Sequence, residues 1–261
     1  MNIIMPNPSG DLSNKRMVLA TDLDGTFLGG TDNERRRLYD WIEQNRKTVG
    51  LVFVSGRDPE FMVEICGRNG VPWPDYVIGD VGTTIARVTP QGKIAPIPEL
   101  EREIAEKWAD KGDRVRRELD GHPGLRLQPT DFRYRVSYDY DPENFHPSAK
   151  EKVSEIGCDY LISDNRFFDV LPVGVSKGPS LKRLVLHLEI EAEKVLAAGD
   201  TLNDLSMLVS GLPAVAVGGS EAGLLAHVEL LPHVHKADAI GAAGILEAID
   251  AFGLHDIPRG E

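Results

Sequence analysis

Residues 17–26 read MVLATDLDGT, and this stretch decides the fold. Val18, Leu19 and Ala20 form a short apolar run without alternation, the pattern of a strand buried on both faces of a parallel sheet. Asp22 and Asp24 follow at once, then Gly25 and Thr26. In open α/β sheets, reactive groups collect where loops leave the carboxyl ends of strands. Two acids one residue apart in an extended loop would both face one crevice there and share a divalent cation. A plain polar turn is the competing reading, since Asp-Gly is a common turn dipeptide.

Outward from this stretch, Asp32 is a good N-cap for a helix over 33–46, with Leu38, Trp41 and Ile42 inward. Residues 50–54, GLVFV, read as a second buried strand that ends at Ser55-Gly56-Arg57. Asp58 and Pro59 open another helix. A third strand over 76–78 runs into Gly79-Asp80-Val81-Gly82. This β-α-β-α-β order predicts a parallel sheet with right-handed crossovers. From Thr83 the rhythm changes to a hairpin over 84–88 and 93–97. One charged helix over 99–119 follows, then strands over 134–140, 160–162 and 167–171 and a helix over 146–156. The expected organisation is α/β: a Rossmann-like core from residues 1–83 and 167–261, and an inserted α+β cap over 84–166. The core resumes with a helix over 178–188 and a strand over 194–198 that ends at Gly199-Asp200. A helix over 203–209, a strand over 214–217, a helix over 221–227 and a closing helix bearing Ile245, Ile249 and Phe252 complete it.

The 261 residues supply ample core, and 41% hydrophobic with 27% charged content describes an ordinary globule. A formal net charge of −12 opposes nucleic acid or an anionic membrane as partner. A phosphorylated substrate then needs local positive charge or a metal. Cys66 and Cys158 belong to no CxxC pattern, which suits a reducing cytoplasm. The leader MNIIMPNPSGDLSNKR is too polar for a signal peptide, and no apolar run approaches spanning length. A cytoplasmic setting is expected.

Three further segments carry reactive groups at sheet ends. Ser55 offers a hydroxyl beside the backbone N–H groups around Gly56, a site for a phosphate oxygen. Lys177 lies just before a helix start, where a cation and the helix N-terminus both favour an anion. Asp200 and Asp204, with Asn203 between them, bracket a helix start after an apolar strand; an N-cap or a metal pocket fits that pattern.

The ordered set DxDGT, Ser-Gly-Arg, Lys-Gly and GDxxND strongly resembles the haloacid dehalogenase superfamily of phosphohydrolases. The resemblance implies that Asp22 is the nucleophile that becomes an aspartyl-phosphate. It implies Mg²⁺ held by Asp22, the Asp24 carbonyl and Asp200, with Asp204 supporting that sphere. Asp24 then serves as general acid and base, and Ser55 and Lys177 steady the phosphoryl oxygens. Only a loop and one helix fit between Asp24 and Ser55, whereas the long interval from Ser55 to Lys177 holds the α+β block. That layout resembles the branch whose cap follows the second motif, mostly phosphatases of sugars and small metabolites, in which the cap closes as a lid.

Within that branch, DYVIGDVGTTI, YRVSYDYDP, FFDVLPVGVSKG, GDTLNDLSML and AGILEAI are similar to sucrose-phosphate and mannosylfructose-phosphate phosphatases. A disaccharide phosphate is the implied substrate. Gly25 and Ser55 depart from the Asn and Thr that many sucrose-phosphate enzymes carry. Gly56, Arg57, Asp80, Thr83, Arg135, Asp169 and Asn203 are the candidate substrate contacts, against surface charge or internal hydrogen bonding. A phosphomutase, a phosphatase of another small metabolite (mannosyl-phosphoglycerate type) and a non-catalytic sensor are the alternatives. A cognate synthase as partner is left open. His233 and His235 lack nearby N/S ligands and read as surface residues after a short strand. The run Arg35 to Arg37 reads as a solvated helix start.

Overall fold

The computed structural model describes residues 11–66 and 70–257. The first ten residues of the polar leader lie outside them. In chain order the elements begin with β1 (Met17–Thr21), α1 (Asp32–Gln44), β2 (Val49–Val54), α2 (Pro59–Ile65), β3 (Tyr76–Gly79), β4 (Thr84–Val88) and β5 (Ile94–Pro96). Next come α3 (Pro98–Trp108), α4 (Gly112–Glu118), β6 (Leu125–Leu127), β7 (Val136–Tyr140), α5 (Ser148–Ile156), β8 (Cys158–Ser163) and β9 (Phe167–Pro172). The chain closes with α6 (Lys177–His187), β10 (Val195–Gly199), α7 (Leu205–Leu208), β11 (Ala214–Gly218), α8 (Ala222–Val228), β12 (Val234–Ile240) and α9 (Ala242–Ala251). Two compact units result: one ends at Pro96 and resumes at Lys177, and the other is Ile97–Ser176.

The first unit holds an eight-stranded sheet in the order β12-β11-β10-β1-β2-β3-β4-β5. It is parallel from β12 through β3, with Leu19 opposite Leu196 on one side and Leu51 on the other. Every residue of β1, β2 and β10 is buried, as a sheet covered on both faces requires. Met17, Leu19, Phe53, Val215, Ile245 and Ile249 share one apolar cluster with Leu38, Trp41 and Ile42 of α1. Helix α1 starts one residue earlier than its sequence suggests. Thr31, not Asp32, is the N-cap, because Glu34 completes a capping box with it.

The expected domain boundary at 84 needs correction. The hairpin β4–β5 extends the large sheet, with β3 and β4 antiparallel and Ile78 opposite Ile85. Asp80, Val81 and Gly82 take φ of 52°, 59° and 99°. Three successive left-handed residues reverse the chain at once and lay β4 beside β3 in place of a crossover.

The second unit is a four-stranded antiparallel sheet, β6-β7-β9-β8. One face packs Val136, Tyr138, Phe168 and Val170 against Val115, Leu119, Ala149, Val153 and Ile156 of the α4 and α5 regions. Strand β9, placed in the core at the sequence level, pairs here with β7 and β8. The single helix expected over 99–119 is two, because Ala109 and Asp110 adopt φ of 50° and 52°. Strand β6 has only three residues, too short to show a period. Cys66 and Cys158 are free and buried. Among the described residues no helix is long and apolar enough to cross a membrane.

Candidate active site

Strands β1 and β10 run side by side, so the loops after Thr21 and Gly199 leave the same end of the sheet. After β1 the backbone stays extended at Asp22 and Asp24 and turns at Gly25. Residues Leu23–Phe27 form a wide turn in which Phe27 N–H reaches Asp22 O at 3.2 Å and Leu28 N–H reaches Leu23 O at 2.8 Å, the i→i+5 pattern often found at functional sites. Gly25 sits in it at φ +82°, and a Cβ there would lie 2.2 Å from Asp200 Oδ2. The absent side chain is what admits the Asp200 carboxylate.

Asp22, Asp200 and Asp204 each offer an oxygen within 4.8 Å of the others. Lys177, first residue of α6 and only 1% exposed, donates from Nζ to Asp22 Oδ1 at 2.6 Å, Asp204 Oδ1 at 2.6 Å and Asn203 Oδ1 at 2.9 Å. Gly178 lets α6 come this close, since a Cβ on it would stand 1.9 Å from Ser206 O of α7. Asp204 is fully buried, and its Oδ2 accepts from the N–H groups of Asp200 at 3.0 Å and Thr201 at 3.1 Å. Both its oxygens are therefore engaged, so it anchors Lys177 and the start of the 200–204 loop. Thr26 donates to Asp200 Oδ1 at 2.6 Å. Sequence reasoning missed that contact, since a threonine after Asp-Gly does not point to a distant carboxylate.

Lys177 pairs with two of the three clustered carboxylates, Asp22 and Asp204, an excess of negative charge that a divalent cation matches. Burial pushes Asp22 up to about 8 against the pull of Lys177. Burial likewise lifts Asp200 to about 6, with Thr26 opposing. Burial alone would depress the Lys177 ammonium, yet Asp204 and Asp22 more than offset it and hold its pKa above the usual value. Lys177 thus stays charged. The oxygen-only donor set suits Mg²⁺.

The Asp24 carboxylate is not one of the three clustered groups. It turns to Arg57, which donates from Nε to Oδ2 at 2.6 Å and from Nη2 to Oδ1 at 3.1 Å. Ser55 is buried at the end of β2, and its Oγ accepts from Arg57 N at 3.2 Å. Strand β2 is the neighbour of β1, with Phe53 opposite Thr21, so Ser55 and Gly56 follow the same sheet end as Asp22.

The other candidate contacts are drawn into local structure. Asp80 Oδ2 accepts from Thr84 Oγ1 at 2.8 Å, and Thr83 Oγ1 donates to Asp80 O at 2.9 Å, within the turn that reverses β3 into β4. Ser180, not foreseen, ties α6 to that turn by donating to Gly82 O at 2.7 Å. Arg135 and Asp169 form a buried ion pair at 3.5 Å inside the second unit, where Ser137 also donates to Asp169. His235 lies within β12 and pairs with Glu247 at 2.8 Å. Arg35 donates to the Leu28 and Gly30 carbonyls and pairs with Asp32.

The sequence model of a family described as Sucrose-6F-phosphate phosphohydrolase matches residues 15–253. The chain belongs to this family. Through it the chain joins the haloacid dehalogenase phosphatases, whose fold the two-sheet architecture reproduces. The solved sucrose-phosphatase of Synechocystis sp., in complex with sucrose and phosphate, superposes with a TM-score of 0.81 at 25% identity, covering 92% of this chain and 98% of that one. Among curated relatives, the glucosylglycerol-phosphate synthase of Pseudomonas anguilliseptica is 39% identical over 91% of this chain. The chain spans only 31% of that relative's length. The mannosylfructose-phosphate phosphatase of Agrobacterium fabrum is 26% identical and matches 91% of this chain and 97% of its own length.

Proposed function

We propose that this sucrose-6F-phosphate phosphohydrolase family member is a Mg²⁺-dependent phosphatase that releases phosphate from a phosphorylated glycoside. The observation that carries the reading is the convergence of Asp22, Asp200 and Asp204 oxygens within 4.8 Å, with Lys177 Nζ 2.6 Å from Asp22. Asp22 and Asp200, with the Asp24 carbonyl, would hold the ion, which would neutralise charge between carboxylate and phosphate. Asp22 attacks phosphorus, and the bond to the sugar oxygen breaks as Asp24 gives that oxygen a proton. Asp24 then takes a proton from the water that frees Asp22. Ser55, the N–H groups around Gly56 and Lys177 serve the phosphoryl oxygens. Asp204 and Asn203 act by holding Lys177.

For the substrate we assign a glycosyl-glycerol phosphate, supported by the 39% identity to a segment of a chain named for glucosylglycerol phosphate. A disaccharide phosphate is the second reading, favoured by the family description and the sucrose-bound neighbour. The α+β unit, Ile97–Ser176, is the candidate specificity domain, with Arg135 and Asp169 in it. The test is a phosphate-release screen with Mg²⁺ over glucosylglycerol phosphate, sucrose 6-phosphate and mannosylfructose phosphate. Release from at least one, fastest for glucosylglycerol phosphate, is expected. Isomerised sugar phosphate without free phosphate would replace hydrolysis by a mutase reaction, and silence on all three would reject the assignment.

A further inference from the structure

Arg57 lies beside the reacting groups, and its fork is turned to Asp24. The contact is bidentate, with Nε–Oδ2 at 2.6 Å and Nη2–Oδ1 at 3.1 Å. The guanidinium carbon sits 4.1 Å from the centroid of the Phe61 ring, so the fork is stacked as well as paired. The backbone beneath is pinned from both sides, because Arg57 N–H donates to Ser55 Oγ at 3.2 Å and Arg57 O accepts from Asp80 N–H at 2.9 Å. The pair is also open to water, with side-chain exposures of 47% for Arg57 and 56% for Asp24. An ion pair this exposed contributes little to stability. What a planar, stacked fork does contribute is geometry, since it fixes both the rotamer and the plane of a carboxylate that otherwise rotates freely.

Resting on the reading of Asp24 as general acid and base, we propose that Arg57 is a positioning residue. Its braced fork holds the Asp24 carboxylate in the orientation from which it exchanges a proton with the leaving sugar oxygen and then with water. Each carboxylate oxygen keeps a second lone pair, so the ion pair does not block that exchange. The longer contact makes Oδ1 the oxygen that carries the proton. In the first step this proton goes to the sugar oxygen as its bond to phosphorus breaks and the Asp22–phosphorus bond forms. In the second, Oδ1 takes a proton from water as the Asp22–phosphorus bond breaks. Arg57 neither gains nor loses a proton in either step.

The test separates leaving groups that need a proton from those that do not. A sugar alkoxide needs one, whereas p-nitrophenolate leaves as a stable anion. Arg57→Ala, Arg57→Lys and Asp24→Ala are assayed, alone and combined, on p-nitrophenyl phosphate and on whichever of the three sugar phosphates the wild type hydrolyses fastest. For Arg57→Ala the loss of kcat on the sugar phosphate should exceed the loss on p-nitrophenyl phosphate by about tenfold or more, with KM within about threefold of wild type. Arg57→Lys, which keeps charge without the fork, should fall between. In the Asp24→Ala background, Arg57→Ala should add nothing to the difference between esters. Equal losses on the two esters, no loss on either, or a change confined to KM would overturn the positioning role. A wild-type protein that releases phosphate from neither ester would sink the phosphatase reading itself, and this one with it.

Discussion

Replacing Asp204 by Asn removes one negative charge and changes almost nothing in shape. The side chain is fully buried, with Oδ1 facing Lys177 Nζ at 2.6 Å and Oδ2 facing the N–H groups of Asp200 and Thr201 at 3.0 and 3.1 Å. An amide has one acceptor and one donor end. Whichever way Asn turns, its NH₂ must face either an ammonium or two backbone N–H groups. Breaking one side of a buried pair costs about 3–5 kcal/mol. Lys177 keeps Asp22 and the Asn203 carbonyl, so the lower end, about 3 kcal/mol, applies. At about 2–4 °C per kcal/mol for a chain of this size, the melting temperature should fall by about 6–12 °C. Because Lys177 loses one of the three groups that hold it, phosphate release should drop by about 100-fold. Thermal melts by circular dichroism and a phosphate assay on Asp204→Asn measure both. A variant within about 1 kcal/mol of wild type and fully active would refute the claim that Asp204 holds Lys177.

Asp22→Asn should keep the fold, because its amide oxygen can still accept from Lys177, and should lose phosphate release to background; retained turnover would remove Asp22 as nucleophile. Burial lifts Asp22 to about 8 and Asp200 to about 6, so Mg²⁺ must displace protons and should bind more tightly as pH rises from 6 to 8; calorimetry in buffers of different ionisation heat would show proton release, and pH-independent binding would contradict the scheme. The same raised values mean that Asp22 and Asp200 bind more protons in the folded protein than in the unfolded chain. Their contribution to stability should therefore fall as pH rises from about 4 to 8, with Mg²⁺ restoring more at pH 8 than at pH 5. Gly178→Ala places a methyl group 1.9 Å from Ser206 O, so α6 and α7 must part; a loss of about 1–3 kcal/mol by urea unfolding and a clear fall in activity are expected, and wild-type behaviour in both would mean that the helices part freely.

Much of the core was legible because its signals are short-range. Unbroken apolar runs marked β1, β2 and β10, and the polar residues directly after them marked the sheet end where Asp22, Ser55 and Asp200 would lie. Backbone events without a side-chain signature were not legible. Left-handed Asp80 and Val81 turned β4 back into the large sheet, and left-handed Ala109 and Asp110 split a helix; the start of α1, by contrast, is written in the sequence as the Thr31–Glu34 capping box. Thr26 and Ser180, common residue types in unremarkable places, gave no hint of their partners.

Taken alone, the sequence determined the kinds of groups present and the strand ends on which they stand, because periodicity and strand-end chemistry are properties of a few neighbouring residues. Which of those groups meet was decided only by the tertiary structure. Lys177 finds Asp22 from 155 positions away, through the pairing of β1 with β10 and the close approach of α6 to α7. Asp24 meets Arg57 from the end of the neighbouring strand β2, and Asp22 meets Asp200 and Asp204. Backbone paths and packing set those partnerships, and neither is written in the spacing of the residues that form them.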